Sequence, residues 1–482
     1  MLNAATQQLE AVQRGPLNGR VALSDRPRVQ FPLILLIALA IRMVVVYFSY
    51  RDLPDVDKYC ERFGWEVGWV ARALASGHGF SSPYYPISGP TALVPPLYTG
   101  LLAEVFRLFG VYSLKSGFII LSLNSVFSTL TCIPIYFSAK YSLGIRGAKI
   151  ACWAWAVYPF AIYFSADRVW EYSLTSLLFT TCFCVAQRIQ GSAKSIAWIG
   201  FGALYGLTAL SNPAILSVLP FLLALALWNA RKAGRPWLLH GVLTVVGVLM
   251  VLAPWTARNY RVLHVLCPVR DNFWLEFYVG NFGDTSEPNP PPLHPASNPV
   301  EMQRYLSLGE TAYMAEKHAL AVDYVRRHPQ FFLVVTLRRV VCYWSGFWSF
   351  SHEFRQIEPF ALPNIFYCGT MTLLMLRGAR RLWRGNRNAA LPYIVSIAIF
   401  PLTYYITHSW MDSRQPIEAA IVVLAIAGCI SGKSMQSVAD KSTRSVSIEV
   451  QRSNNDRHGP SLSCMRDNID CIVFPVGARL TG

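Results

Sequence analysis

Residues 65–110 read WEVGWVARALASGHGFSSPYYPISGPTALVPPLYTGLLAEVFRLFG. The stretch follows the first long apolar run, yet it is too polar and too rich in Gly and Pro to cross a bilayer. The spacing predicts a helix over 65–76, in which each residue advances about 100° around the axis. On that wheel Trp65, Trp69, Ala73, Val70 and Leu74 sweep out one apolar arc, with Glu66 in its middle and Arg72 elsewhere. A carboxylate in an apolar face is costly unless it is paired or put to use. Taken alone, these residues leave two readings open: a partner for a neighbouring Arg, or a base whose proton affinity burial has raised. Gly79, Gly89, Pro90, Pro95 and Pro96 punctuate a loop with defined turns, not a flexible linker.

Composition sets the class. Of 482 residues, 53% are hydrophobic and 15% charged, and the mean hydropathy is positive, which describes an integral membrane protein. Lys and Arg outnumber Asp and Glu by 43 to 27, but they sit in short clusters beside apolar runs, as positive-inside loops do. Nucleic-acid binding is therefore not expected. The 11 Cys lie mainly in apolar runs and form no CxxC, so they read as small hydrophobes. A Cys60–Cys267 disulfide is the one extracytoplasmic pairing to consider. No cleavable signal peptide is expected, because the first apolar run lies behind a polar arm and is long enough to span.

The polar arm, residues 1–30, carries Arg14, Arg20, Arg26 and Arg28 and is expected on the cytoplasmic side. The run 31–50 spans outward and tolerates Arg42, and residues 51–114 form the first outer loop. Further spans are expected near 115–138, 147–165, 169–187, 196–211, 213–229 and 237–256, making 31–256 one transmembrane module. Residues 257–358 form the second outer loop. Within it, 331–350 could span by length, but Arg338 and Arg339 sit near its centre at about 2.5–3.5 kcal/mol each. Crossing would also put RGARRLWRGNR (377–387) outside. It is therefore read as an outer interfacial helix, aromatic on one side and basic on the other. Spans at 359–376, 390–408 and 415–431 complete a region 359–431. The expectation is an all-α polytopic bundle of about ten crossings, with a disordered cytoplasmic tail from 432 to 482.

The outer loops gather the polar groups that the spans lack. Loop one offers Asp52, Asp55, Asp57, Glu61, Glu66 and His78, and the turn between the third and fourth spans adds Asp167, Arg168 and Glu171. Loop two opens PWTARNYR and continues VRDNFWLEFYVGN, with Arg258, Asn259, Arg261, Arg270, Asp271 and Glu276. The last outer turn, YYITHSWMDSRQP, holds His408, Asp412 and Arg414. Arg258 and Arg414 stand at outer span ends, where a guanidinium suits either a bidentate grip on phosphate or plain interfacial anchoring. No nucleotide-binding motif is visible.

The order of ALASGHGF, GPTALVPPLYTGLLAEVFRLFG, PIY and AWAVYP, then PWTARNYR, Gly280-Asn281 and YYITHSW, resembles the polyprenyl-phosphate-dependent glycosyltransferases of the GT-C fold. The nearest type is the family 39 group of protein O-mannosyltransferases and lipid A aminoarabinose transferases. The resemblance covers about 50–290 and 400–420. Two positions depart from it. Trp65-Glu66 stands where members commonly carry Asp-Glu, and Val94 precedes the Pro-Pro-Leu where many carry Lys or an acid.

The resemblance implies a plasma (inner) membrane enzyme whose site faces away from the cytoplasm. It would move a sugar from a polyprenyl-phosphate carrier to a protein, lipid or glycan acceptor. Inverting transfer needs one carboxylate to take the acceptor's proton, where a glycosidase needs a flanking pair. Glu66 is the expected base, with Asp57 as alternative and Glu171 or Asp167 in support. Arg258 and Arg414, with Arg326 or Arg327 in reserve, would bind the departing phosphate. His78, Tyr98, Glu276, Asn281 and His408 are the expected acceptor contacts. A divalent cation could share the phosphate's charge, although no diagnostic ligand set is seen. The rival class is a lipid or sugar transporter, but neither repeat-related halves nor a mid-span acid is found.

Overall fold

The structure, a computed structural model, describes residues 27–52, 63–84, 88–283, 293–346, 352, 361–408 and 410–430. The described residues are helical apart from turns and one isolated bridge, Ser81 to Pro90. Asp57, Cys60, the N-terminal arm up to 26 and the tail from 431 lie outside them, while Cys267 is buried as a free thiol.

Helix α1 (Pro27–Ser49) is the first expected span. The second and third are less regular than their apolar runs suggest. Helix α4 (Leu114–Leu130) gives way at Thr131 to α5 (Cys132–Ala156), which bends at Gly144, φ 78°. The cytoplasmic loop expected around 140–149 is thus a bend within helix. After Tyr158-Pro159 comes α6 (Pro159–Ala166), followed by α7 (Tyr172–Ile189) and α8 (Ser195–Ser211). Pro213 starts a 3-10 turn that leads into α9 (Leu219–Lys232).

Helix α10 (Trp237–Leu263) outruns its expected span by seven residues and so carries Arg258 and Asn259 on helix. Likewise α15 (Ala361–Gly385) runs beyond the expected span end at 376 and takes in most of the basic cluster 377–387. Helices α16 (Arg387–Ile399), α17 (Leu402–Ile406) and α18 (Glu418–Cys429) complete the chain. Four helical stretches, Gln30–Ser49, Leu114–Ala156, Trp237–Leu263 and Arg387–Ile406, are long and apolar enough to cross a membrane. The other expected crossings are built from shorter pieces.

Loop one supplies α2 (Glu66–Ala75) and α3 (Pro96–Phe109). Loop two supplies α11 (Phe273–Asn281), α12 (Pro299–Leu308), α13 (Glu310–Arg327) and α14 (Pro329–Ser345). The predicted interfacial helix is therefore α14, with one correction. Arg339 is not on a basic outer face. It is buried and donates to Gly280 O, to Asn281 Oδ1 (3.1 Å) and to Tyr405 O (3.3 Å), tying α14 to the ends of α11 and α17. An aromatic cluster of Trp69, Tyr84, Tyr278, Tyr305 and Tyr313, with Leu93 and Leu275, joins the two loops.

Arg42 shows what a cation inside a span needs. Fully buried, it donates to Ser128 Oγ (3.0 Å), Ala38 O (3.0 Å), Ala156 O (2.9 Å) and Trp155 O (3.2 Å). The last two lie at the C-terminal end of α5, where Trp155 O also accepts the Tyr158 N–H (3.2 Å) and a positive charge is favoured by the helix dipole. The neighbouring pair α8 and α10 uses the opposite device. A Cβ on Gly202 or Gly247 would strike the backbone of the facing helix, so these glycines permit the close approach. Arg42→Leu should lower stability by on the order of 3 kcal/mol, because several carbonyls lose their donor. Thermal unfolding in detergent checks this, and an unchanged midpoint would count against the capping role.

Candidate active site

The site is assembled around three residues of irregular chain, Thr91-Ala92-Leu93, which are buried although they belong to no helix. Each of their peptide groups needs a partner, and loop two, with the end of α10, provides most of them. Arg258 Nη1 donates to Thr91 O (2.6 Å) and its Nη2 to Phe80 O (2.5 Å). The Asp271 N–H donates to Ala92 O (3.0 Å) and Arg270 Nε to Leu93 O (2.8 Å). Ala92 N–H donates to Glu310 Oε1 (2.6 Å), while Thr91 Oγ1 and Tyr305 Oη both donate to Glu310 Oε2. The remaining two amides are bonded within loop one, Thr91 N–H to Phe80 O and Leu93 N–H to Thr91 Oγ1.

This clasp sets Arg270 facing a group of carboxylates. All stand at helix starts, where the dipole favours an anion: Glu66 opens α2, Glu171 caps α7, Glu276 lies in the first turn of α11 and Asp412 in that of the 3-10 turn 411–417. Arg270 Nη2 is 3.9 Å from Glu276 Oε1, and its charge also reaches Glu66 and Glu171. His408 Nδ1 lies 3.6 Å from Glu276 Oε2, and His294 Nε2 lies 3.7 Å from Glu66 Oε1. Tyr172 Oη donates to Asp412 Oδ2.

The proton affinities diverge. Burial raises the proton affinity of Glu66 against the opposing pull of His294 and Arg270, and raises that of Asp412 likewise. Burial raises Glu171 to about 7 against the pull of Arg270. Glu276 goes the other way. Burial alone would raise it, but His408, Arg270 and His294 together hold it at about 2. One acid is thus kept ionised beside others poised to take a proton.

Several expected residues stand elsewhere. Glu66 does lie on the buried side of α2, but the helix starts at Glu66 itself; Trp65 precedes it at φ 46° and is exposed, so the apolar arc is Val67, Trp69, Val70, Ala71 and Ala73. Arg258, expected to grip phosphate, gives both terminal nitrogens to neighbours within the fold, Nη1 to Thr91 O and Asn259 Oδ1 and Nη2 to Phe80 O. Arg414 is buried, with Nε on Glu418 Oε1 (2.7 Å), an ion pair that Tyr158 Oη extends (2.5 Å). It therefore braces the start of α18. Arg326 and Arg327 end α13, where Arg327 pairs with Asp323 on the surface.

Asp167 caps the end of α6, its carboxylate 3.8 Å from the adjoining Arg168. His78 is exposed in the turn after α2. Tyr98 is buried and accepts from Asn124 Nδ2 (2.8 Å) between α3 and α4. Asn281 donates to Phe277 O and Ile406 O, and so serves the α11–α17 junction. Of the expected acceptor contacts, Glu276 and His408 are in the cluster. Arg270, His294 and Glu310 had been given no role, and Asp412 had been noted only as a loop charge. Among the described residues, no three His, Cys, Asp or Glu side chains stand so as to hold a metal ion.

Residues 94–257, about a third of the chain, match the family model described as dolichyl-phosphate-mannose-protein mannosyltransferase. No curated protein matches the chain by sequence. Among solved structures, the archaeal oligosaccharyltransferase AglB from Archaeoglobus fulgidus, in complex with an inhibitory peptide and a dolichol-phosphate, is similar over 91% of this chain and 53% of its own. The identity is 14% and the TM-score 0.52. The same organism's oligosaccharyltransferase in complex with Zn and sulfate matches over 87% of this chain and 51% of its own, at 15% identity and TM-score 0.49. ArnT from Cupriavidus metallidurans bound to undecaprenyl phosphate matches over 82% and 77%, at 13% identity and TM-score 0.36. The fold is the GT-C fold. The chain spans about half the length of the oligosaccharyltransferases it matches.

Burial raises Glu310 from the ordinary 4.5 to about 7, against the donors from Ala92, Thr91 and Tyr305. A carboxyl raised in the folded state contributes stability that is complete below 4.5 and is lost as pH climbs through about 7. The stability of the native protein relative to Glu310→Gln should therefore fall between those two pH values. Thermal midpoints across that window check this, and a flat difference would remove Glu310 as a protonated clasp.

Proposed function

We propose that the chain is an integral membrane glycosyltransferase that moves a sugar from a polyprenyl-phosphate carrier to an extracytoplasmic acceptor in a single inverting displacement. The observation that carries this reading is the Arg270 guanidinium, 3.9 Å from Glu276, whose charge also acts on Glu66, a carboxyl raised in proton affinity by burial, in the loops that join apolar helices. The family matched over 94–257 is named for a dolichyl-phosphate-mannose donor, and AglB of similar fold was captured with a dolichol-phosphate. Both support a lipid-linked donor. They leave the sugar and the acceptor class open.

In this reaction Glu66 takes the acceptor hydroxyl's proton as the oxygen attacks the anomeric carbon. The bond from that carbon to the phosphate oxygen breaks, and its electron pair stays on the phosphate. Arg270 balances the charge gathering there; its Nε is anchored on Leu93 O, which presents the rest of the fork to the site. Glu276, ionised, keeps Arg270 oriented, and Glu171 and Asp412 line the far side. The site faces away from the cytoplasm, where sugars arrive on lipids and not on nucleotides, and the protein resides in the plasma (inner) membrane.

Glu66→Gln should lower transfer by roughly 10²–10⁴-fold with folded protein retained. The measurement is mass spectrometry of polyprenyl-phosphate sugars and surface glycans in cells carrying either form. One lipid-linked sugar should accumulate while one glycan is lost, and normal transfer by the variant would refute the assignment. Arg270→Lys should raise the donor KM by about tenfold, since lysine cannot reproduce a fork anchored on a carbonyl. An unchanged donor KM would move the phosphate site elsewhere.

A further inference from the structure

His294 sits in the turn that leads into α12, and its ring is held on several sides. Its Nδ1 accepts the Ala296 N–H (3.2 Å), and its carbonyl accepts from the Ser297 and Asn298 amides (3.0 and 3.1 Å). The Tyr84 ring meets the imidazole edge-on at 5.7 Å, and is itself packed by Trp69 and Tyr305. An imidazole that accepts at Nδ1 and is neutral must carry its proton on Nε2. That nitrogen is the one 3.7 Å from Glu66 Oε1, a separation that closes to a hydrogen bond with a small turn of either side chain.

We propose that His294 is a positioning residue for Glu66: as the Nε2–H tautomer it donates to Oε1, holds the carboxylate ionised and leaves Oε2 directed at the acceptor. The inference rests on the reading of Glu66 as the base. His294 carries no proton away; the proton taken by Glu66 leaves to water along the carboxyl's exposed edge. The groups that set the balance at Glu66 are His294, Glu276, Arg270 and the Tyr84 hydroxyl, which is buried and has no hydrogen-bond partner among the described residues. Of these, the His294 ring places an N–H-bearing nitrogen toward the carboxylate, 3.7 Å from Oε1.

The test needs no substrate. Dicyclohexylcarbodiimide reacts with a protonated carboxyl, so its rate of labelling at Glu66, read by peptide mass spectrometry against pH on the full-length protein, reports that group's protonation. His294→Leu should move the labelling midpoint upward by about one pH unit, a tenfold change in proton affinity. His294→Gln, whose amide N–H can occupy the place of Nε2–H, should restore the native midpoint.

A midpoint unmoved in His294→Leu, or displaced equally in both variants, overturns the proposal. Should His294→Leu fail to fold, the Gln variant decides alone: a native midpoint supports the donor role and a displaced one refutes it. Transfer measured with Glu66→Gln separates the two levels. If that variant still transfers sugar, the base assignment fails. If it is inactive while His294→Leu leaves the midpoint unmoved, only the positioning role fails.

Discussion

Burying Thr91, Ala92 and Leu93 outside any helix creates a demand for six backbone partners in a place that water does not fill. Meeting that demand is what joins the outer loops. Arg258 arrives from the end of α10, Arg270 and the Asp271 amide from the segment before α11, and Glu310 from the start of α13. An unpaired buried peptide group costs about 1–3 kcal/mol, so the segment is stable only with the loops closed together. The arrangement of the charged groups follows from this closure. Arg270 spends one nitrogen on Leu93 O and, thus fixed, directs its remaining charge toward Glu66, Glu171 and Glu276.

Closure also explains why similar carboxyl groups differ chemically. Glu66, Glu171, Glu276 and Asp412 all stand at helix starts and all lose water, so the dipole and burial act on each of them. What separates them is the number of N–H-bearing side chains at hand. Glu276 has His408, Arg270 and His294 around it and is held near 2, whereas Glu171 has mainly Arg270 and rises to about 7. Environments that drive neighbouring acids apart let one stay a charge and another act as a base.

Much of the helical framework was legible in the apolar runs, because a span must satisfy its own backbone and the 20-residue scale is visible in composition. The breaks were less so. Gly144 bends α5 without a Pro, and α10 and α15 continue past their long apolar runs into segments that carry Arg258, Arg261, Arg380 and Arg381. Within the site, the burial of Glu66 could be read from its position among apolar neighbours, and the placing of Glu276 and His408 in outer loops brought them near. The partners that Arg258 and Arg414 take within the fold were not legible, for one reason. Their partners are Thr91 O, Phe80 O and Glu418, and a sequence does not mark which carbonyls will lack a helix partner. Arg270, Glu310 and His294 were overlooked for the same cause, since Arg270 and Glu310 find acceptors or donors 177 and 218 residues away.

The central claim is that loop two holds the Thr91–Leu93 backbone closed, and amide hydrogen exchange reads that backbone directly. The amides of Thr91, Ala92, Leu93 and Asp271 all donate within the clasp. On the native protein in detergent or nanodiscs, peptides covering 88–95 and 269–273 should exchange as slowly as the flanking helices α3 and α11. Exchange of these amides at the rate of an open surface loop would contradict the account.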